Sequence, residues 1–106
     1  MDDHRFDALA AQTLERIERA LEESGVDADF ELREGGILEL EFANRSKIIV
    51  NRHGAAREIW VAARSGGFHF RWDGSAWRDT RDGSELFAAL SKLVSAQSGR
   101  GVILSP

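Results

Sequence analysis

The chain has no cysteine, and that one absence removes disulfides, thiolate metal sites, sulfur relay and cysteine nucleophiles together. It likewise offers no thiolates to an iron–sulfur cluster, so any metal it holds must sit on oxygen or imidazole. No apolar run approaches the roughly 18–20 residues of a membrane span. The opening Met1-Asp2-Asp3-His4 lacks the basic-then-apolar layout of a signal peptide, and a cytoplasmic protein is the expectation. The only proline is the last residue, Pro106, and there is no linker, low-complexity tract or internal repeat. A Gly-rich phosphate loop and a His-Glu-x-x-His helix are both missing, and the Ser, His and Asp residues form no diagnostic motif, so a classical enzyme is not expected.

What is present suits one globular domain over residues 1–106, with 42% apolar and 30% charged residues. The net charge of −4 is unevenly spread: residues 1–31 carry ten acids against three bases, and residues 32–106 carry eight against eleven. An acidic end of that kind calls for a cationic partner, protein or metal ion, and argues against nucleic acid.

Residues 4–23 predict an amphipathic helix, with Phe6, Leu9, Ala10, Thr13, Ile17, Ala20 and Leu21 on one side and Glu15, Glu18 and Glu22 opposite. Ser24-Gly25 marks its end, before a loop containing Asp27 and Asp29. The period then changes to two. Phe30 and Leu32, a Gly35-Gly36 turn, and Leu38, Leu40 and Phe42 alternating with Glu39 and Glu41 read as a hairpin. Further strands follow at residues 47–51, 58–62 and 68–72, with a short edge segment at Trp77-Arg78. Asp82-Gly83-Ser84-Glu85 starts a second helix carrying Leu86, Phe87, Leu90, Leu93 and Val94 and ending near Gly99, and the tail Val102-Ile103-Leu104 is expected to fold back on the core. The order is α+β. Its simplest packing is a two-layer α/β sandwich, an antiparallel five- to six-stranded sheet with the N- and C-terminal helices on one face and water on the other.

The stretch Ser46-Lys47-Ile48-Ile49-Val50-Asn51-Arg52, followed by Ile59-Trp60-Val61-Ala62, Gly67-Phe68-His69-Phe70 and Trp77, resembles the central sheet signature of the bacterial frataxins. The likeness runs nearly the whole chain, including the acidic first helix, the Gly35-Gly36 turn and Asp79-Thr80-Arg81-Asp82-Gly83. It implies weak binding of ferrous and ferric iron and contact with the cysteine desulfurase and scaffold proteins of iron–sulfur cluster assembly. Position by position, it places an acidic ridge on Glu18, Glu22, Glu23, Asp27, Asp29 and Glu31, with Asp3 and Asp7 at acidic or metal-binding positions nearer the start. Four features depart from the family pattern. Arg19 stands where an acid is usual, Ser24-Gly25 lacks a frequent carboxylate, His53 replaces a glutamine, and Gly54-Ala55-Ala56 has lost a proline.

Iron in an oxygen shell is a hard cation for which clustered carboxylates supply charge, whereas tight sites add histidine or cysteine in fixed geometry. The ridge has charge without a cage, so weak binding of several ions is expected. The competing account is a solvated helix face with Glu15 paired to Arg19. His4, beside Asp3 and Asp7, is either a third ligand or an idle terminal side chain. His69 lies opposite Phe68 and Phe70, a surface side chain or a functional one. Trp60 shares parity with Glu58 and Ala62 and is expected on the water-facing side beside Asn51; the resemblance makes this face, with Glu18, Glu22 and Glu23 on the ridge, the partner-binding surface. Trp72 and Trp77 read as core or edge packing, each indole nitrogen finding a carbonyl.

The readings that remain are an iron-responsive regulator of the desulfurase/scaffold complex, an iron store or chaperone delivering metal to the scaffold, and a purely acidic adaptor with incidental metal binding. Ferroxidase chemistry at the ridge is a further reading, though no di-iron Glu-x-x-His pair is present. A monomer without iron and an iron-dependent oligomer go with these.

Overall fold

Asp2 begins the first element by accepting a hydrogen bond from the Arg5 backbone N–H at 2.8 Å, which satisfies one of the free donors of the opening turn. The helix that follows, α1 (Asp3–Ser24), ends at Gly25, whose left-handed φ of 69° lets its N–H turn back to Glu22 O. Phe6, Ala10, Thr13, Leu14, Ile17, Ala20 and Leu21 form its buried face. Leu14 widens the stripe expected from the sequence, and Leu9 is only half-buried at its margin. The computed structural model describes residues 1–106.

Six strands come next: β1 (Ala28–Arg33), β2 (Ile37–Phe42), β3 (Lys47–His53), β4 (Glu58–Ala63), β5 (Gly66–Trp72) and β6 (Trp77–Asp79). Each pairs antiparallel with the next, giving a meander in the order β1-β2-β3-β4-β5-β6. Short turns allow nothing else, because a parallel neighbour needs a long crossover. Alternation then sorts the side chains. Leu38, Leu40, Phe42, Ile48, Val50, Ile59, Val61 and Phe70 are buried toward the helices, while Glu39, Glu41, Ile49, Asn51, Trp60, His69 and Arg71 share the other face.

Helix α2 (Leu86–Ser98) starts where Asp82-Gly83-Ser84-Glu85 predicts, with the Glu85 carboxylate accepting from the Phe87 and Ala88 N–H groups. Leu86, Phe87, Leu90 and Val94 join α1 and the inner sheet face in one cluster of 20 buried apolar residues, so both helices lie on the same side of the sheet, as expected. The tail divides: Leu104 is buried and Val102 half-buried, but Ile103 points into water with 82% of its surface exposed. Three consecutive residues of an extended segment cannot all face inward.

Two polar contacts tie these layers together. Trp77 is buried against Phe6 and Trp72, and its indole N–H donates at 2.9 Å to the Thr13 hydroxyl rather than to a carbonyl. Thr13 is free to accept because its own hydrogen goes to Leu9 O. Gln97, also buried, accepts from the Arg64 N–H at 3.0 Å and donates to Ser46 Oγ and Lys47 O, while its backbone carbonyl accepts from Asn44 Nδ2. The end of α2 is thereby stitched to the β2–β3 and β4–β5 turns.

Candidate functional site: an acidic ridge and an aromatic sheet face

The outward side of α1 continues into the loop before β1. Glu22, Glu23 and Asp27 are exposed and Glu18 is half-exposed, and no cation pairs with any of them or with Glu15. The Glu15–Arg19 pair suggested by helical spacing does not form.

Asp29 and Glu31 leave the helix side altogether. They alternate with Ala28, Phe30 and Leu32, which pack on the core, and so lie on the far face of the sheet. There Asp29 stands directly across from Glu41, and Glu31 from Glu39, two like-charged cross-strand pairs that cost stability wherever cations do not intervene. Arg33 and Lys47 intervene for one pair, Arg33 meeting Glu31 and Glu39 and Lys47 meeting Glu39 at 3.3 Å. Asp29 and Glu41 have no such partner.

The acids at the start of α1 are placed differently again. Asp3 pairs with Arg57 at 2.9 Å and Asp7 with Arg52 at 2.6 Å, which fastens the first helical turns to the β3–β4 hairpin. Asp7 and Glu22 are about 22 Å apart along the helix axis at 1.5 Å per residue, so the two groups of acids do not share a site. His4 is exposed and makes no ion pair. No three His, Asp or Glu side chains converge closely enough to hold an ion between them. The donor set is one of dispersed carboxylates, suited to a hydrated hard cation touching one or two of them and unsuited to a closed coordination cage.

The second surface is the far face of β3–β5. Trp60 stands there, half-buried, opposite Asn51 on β3 and His69 on β5. Its indole is sandwiched: His53 stacks on one side at 3.6 Å between centroids and 11°, His69 on the other at 4.4 Å and 9°. Beneath the stack lies Glu58, on the same face yet only 5% exposed. Its Oε1 accepts from Trp60 Nε1 at 2.8 Å and its Oε2 from Arg71 Nη2 at 2.7 Å, with His69 Nδ1 3.7 Å from Oε1. Burial works to raise the Glu58 carboxyl, but the bonds from Trp60 and Arg71 and the charge of Arg71 outweigh it and hold the group below its ordinary value.

Sequence reasoning placed Trp60, His69 and Asn51 on this face but missed the stack, the clamp by Glu58 and Arg71, and the part played by His53. The usable signal was register: a two-residue Arg64-Ser65 turn, with Gly66 and Gly67 already paired in β5, sets β4 against β5 so that Trp60 meets His69.

Fold and surface together define a two-layer α+β protein with an acidic helical edge and an aromatic open sheet face. Residues 1–100 match the family model described as a frataxin-like domain. The chain is 64% identical over 104 residues to the iron-sulfur cluster assembly protein CyaY of Dechloromonas aromatica, covering 98% of this chain and 99% of that one. Among solved structures, frataxin from Psychromonas ingrahamii superposes with a TM-score of 0.91 at 36% identity over the full length of both chains. Trimeric frataxin from Saccharomyces cerevisiae matches with a TM-score of 0.66 at 26% identity, covering 90% of this chain and 79% of that one. The chain belongs to the frataxin-like family.

Proposed function

We propose that this protein acts in iron–sulfur cluster assembly, binding ferrous and ferric iron weakly on its acidic ridge and regulating the cysteine desulfurase/scaffold complex by docking on it. One observation carries the reading: Glu15, Glu18, Glu22, Glu23 and Asp27 stand along the outward side of α1 and the loop after it without a single paired cation, and Asp29, on the far face of the sheet, is unpaired too. Unscreened like charge costs stability, and a cationic partner or ion is what recovers it. The printed name of the Dechloromonas aromatica relative supports the pathway. Iron is cargo or signal here, touching exposed carboxylates that exchange readily with water. Glu18, Glu22 and Glu23 then meet the desulfurase, and Asn51 and Trp60 meet the scaffold protein. Asp3 and Asp7 are secondary metal positions, because an ion there must displace Arg57 and Arg52.

The absence of any convergent three-ligand set favours a second reading, an acidic adaptor on which iron is incidental. Anaerobic NMR titrations of labelled protein with ferrous iron and, separately, with cysteine desulfurase separate the two. Regulation by a shared ridge predicts that both ligands shift Glu18, Glu22, Asp27 and Asp29; the adaptor reading predicts shifts with the enzyme alone. In Glu18→Lys/Glu22→Lys, desulfurase affinity falls at least about tenfold at low salt. Unchanged binding of both ligands by that variant removes the ridge from the account.

A further inference from the structure

The far face of the sheet is divided by charge. Its β1–β2 half carries Asp29, Glu31, Glu39 and Glu41. Its β3–β6 half carries His53, Trp60, His69, Arg71 and Arg78, with Arg78 directly across from Arg71, and its one carboxylate, Glu58, is buried with both oxygens engaged. Each fixed cation already has a counter-charge, Lys47 in Glu39 at 3.3 Å, Arg71 in Glu58 and Arg78 in Asp73 at 3.3 Å. The net charge of this half is therefore set by its two imidazoles. Histidine is the side chain whose ordinary titration falls between about pH 5 and 8.

The stack also fixes what a partner touches. Both faces of Trp60 are covered by His53 and His69, leaving ring edges to the outside. His53 Nδ1 accepts from the Ala56 N–H at 3.2 Å, so in the neutral ring the proton sits on Nε2 and the surface presents a donor. With the guanidinium of Arg71, whose side chain is 66% exposed, the face offers donors and no free acceptor carboxylate.

Resting on the reading of this face as a docking surface, we propose that the His53–Trp60–His69 stack makes it a proton-gated site for an acidic, acceptor-rich polypeptide segment. On protonation both rings become donors at both nitrogens, His53 giving up the bond it accepts from the Ala56 N–H, and the patch gains up to two positive charges. The charged groups around the pair are Glu58 and Arg71 below, Arg78 with Asp73 one strand beyond, Arg57 held by Asp3 in the β3–β4 loop, and Lys47 with Glu39 at the far end of β3. Glu58 stays ionised through the histidine range, so the framework does not titrate along with the rings.

The test is an NMR titration of the labelled full chain with a hexa-aspartate peptide at pH 5.5 and 8.0 and constant ionic strength, aspartate being ionised at both. The expected result is a shift of the Trp60 indole N–H and of the Asn51 and His69 amides, with affinity about tenfold tighter at the lower pH. His53→Gln/His69→Gln, which keeps the sites polar and neutral, binds with the same affinity at both pH values, and each single variant keeps about half the logarithmic pH effect. Equal wild-type affinities at the two pH values, a pH effect that survives in the double variant, or shifts confined to another surface each overturn the proposal. A separate titration with the scaffold protein at pH 5.5 and 8.0 reports on docking itself: no shift at Trp60 at either pH refutes the docking reading and leaves the peptide result to stand or fall by itself.

Discussion

Glu58→Gln is the change whose consequences the structure fixes most closely. The wild-type carboxylate gives one oxygen to the Trp60 indole and the other to Arg71, at 2.8 and 2.7 Å. An amide keeps one acceptor and turns an NH2 group toward the other donor. The loss is one charge-assisted hydrogen bond, about 1.5–3 kcal/mol in general. Arg71 is well exposed and rehydrates when released, which takes the cost to the low end, about 1.5 kcal/mol. For a domain of this size that lowers Tm by about 6 °C. The pH dependence has a definite sign. The folded carboxyl is held below its ordinary 4.5, so its stabilisation is fully present above about that pH and drains away as pH falls through the lower folded value. Glutamine does not titrate. Urea unfolding of both proteins between pH 7 and 3 should show the full gap at neutral pH, narrowing below about pH 4.5. A gap under about 0.5 kcal/mol at pH 7, or one of constant size down to pH 3, refutes the clamp.

Thr13→Val preserves shape but leaves the buried Trp77 N–H without an acceptor, a loss of about 1–3 kcal/mol by chemical denaturation. Gly36→Ala forces a side chain onto a φ of 77° and brings its Cβ to 2.9 Å from Arg52 Cβ, so stability falls by about 1–3 kcal/mol in the same assay and the Asp7–Arg52 tether moves. Leu104→Ala costs about 2–4 kcal/mol, whereas Ile103→Ser, at an 82% exposed position, stays within about 0.5 kcal/mol on thermal unfolding.

The helical stripe, the hairpin alternation and the Gly25 and Gly99 stops were all legible in the sequence, because each is a local matter of period or of backbone conformation that neighbouring residues dictate. Short turns also left an antiparallel meander as the only economical sheet. The fate of individual charges was not legible in that way. Asp3 and Asp7 look like members of an acidic cluster along the chain, and only the approach of the β3–β4 hairpin gives them Arg57 and Arg52. Asp29 and Glu31 look continuous with Asp27, and only pairing to β2 carries them to the opposite face. Glu15 and Arg19 have the spacing of an ion pair and do not form one.

Composition and periodicity by themselves determined the two-layer architecture, the acidic outward side of α1 and the outward position of Trp60, since a period of 3.6 or 2 assigns each residue to a face whatever lies across from it. Tertiary structure alone decided which faces meet. It set His53 and His69 against the indole, buried Glu58 beneath them, and divided the acids into those matched by arginine and those left unpaired. Such contacts depend on cross-strand register and on the distance between side chains far apart in sequence, and no local pattern encodes that distance.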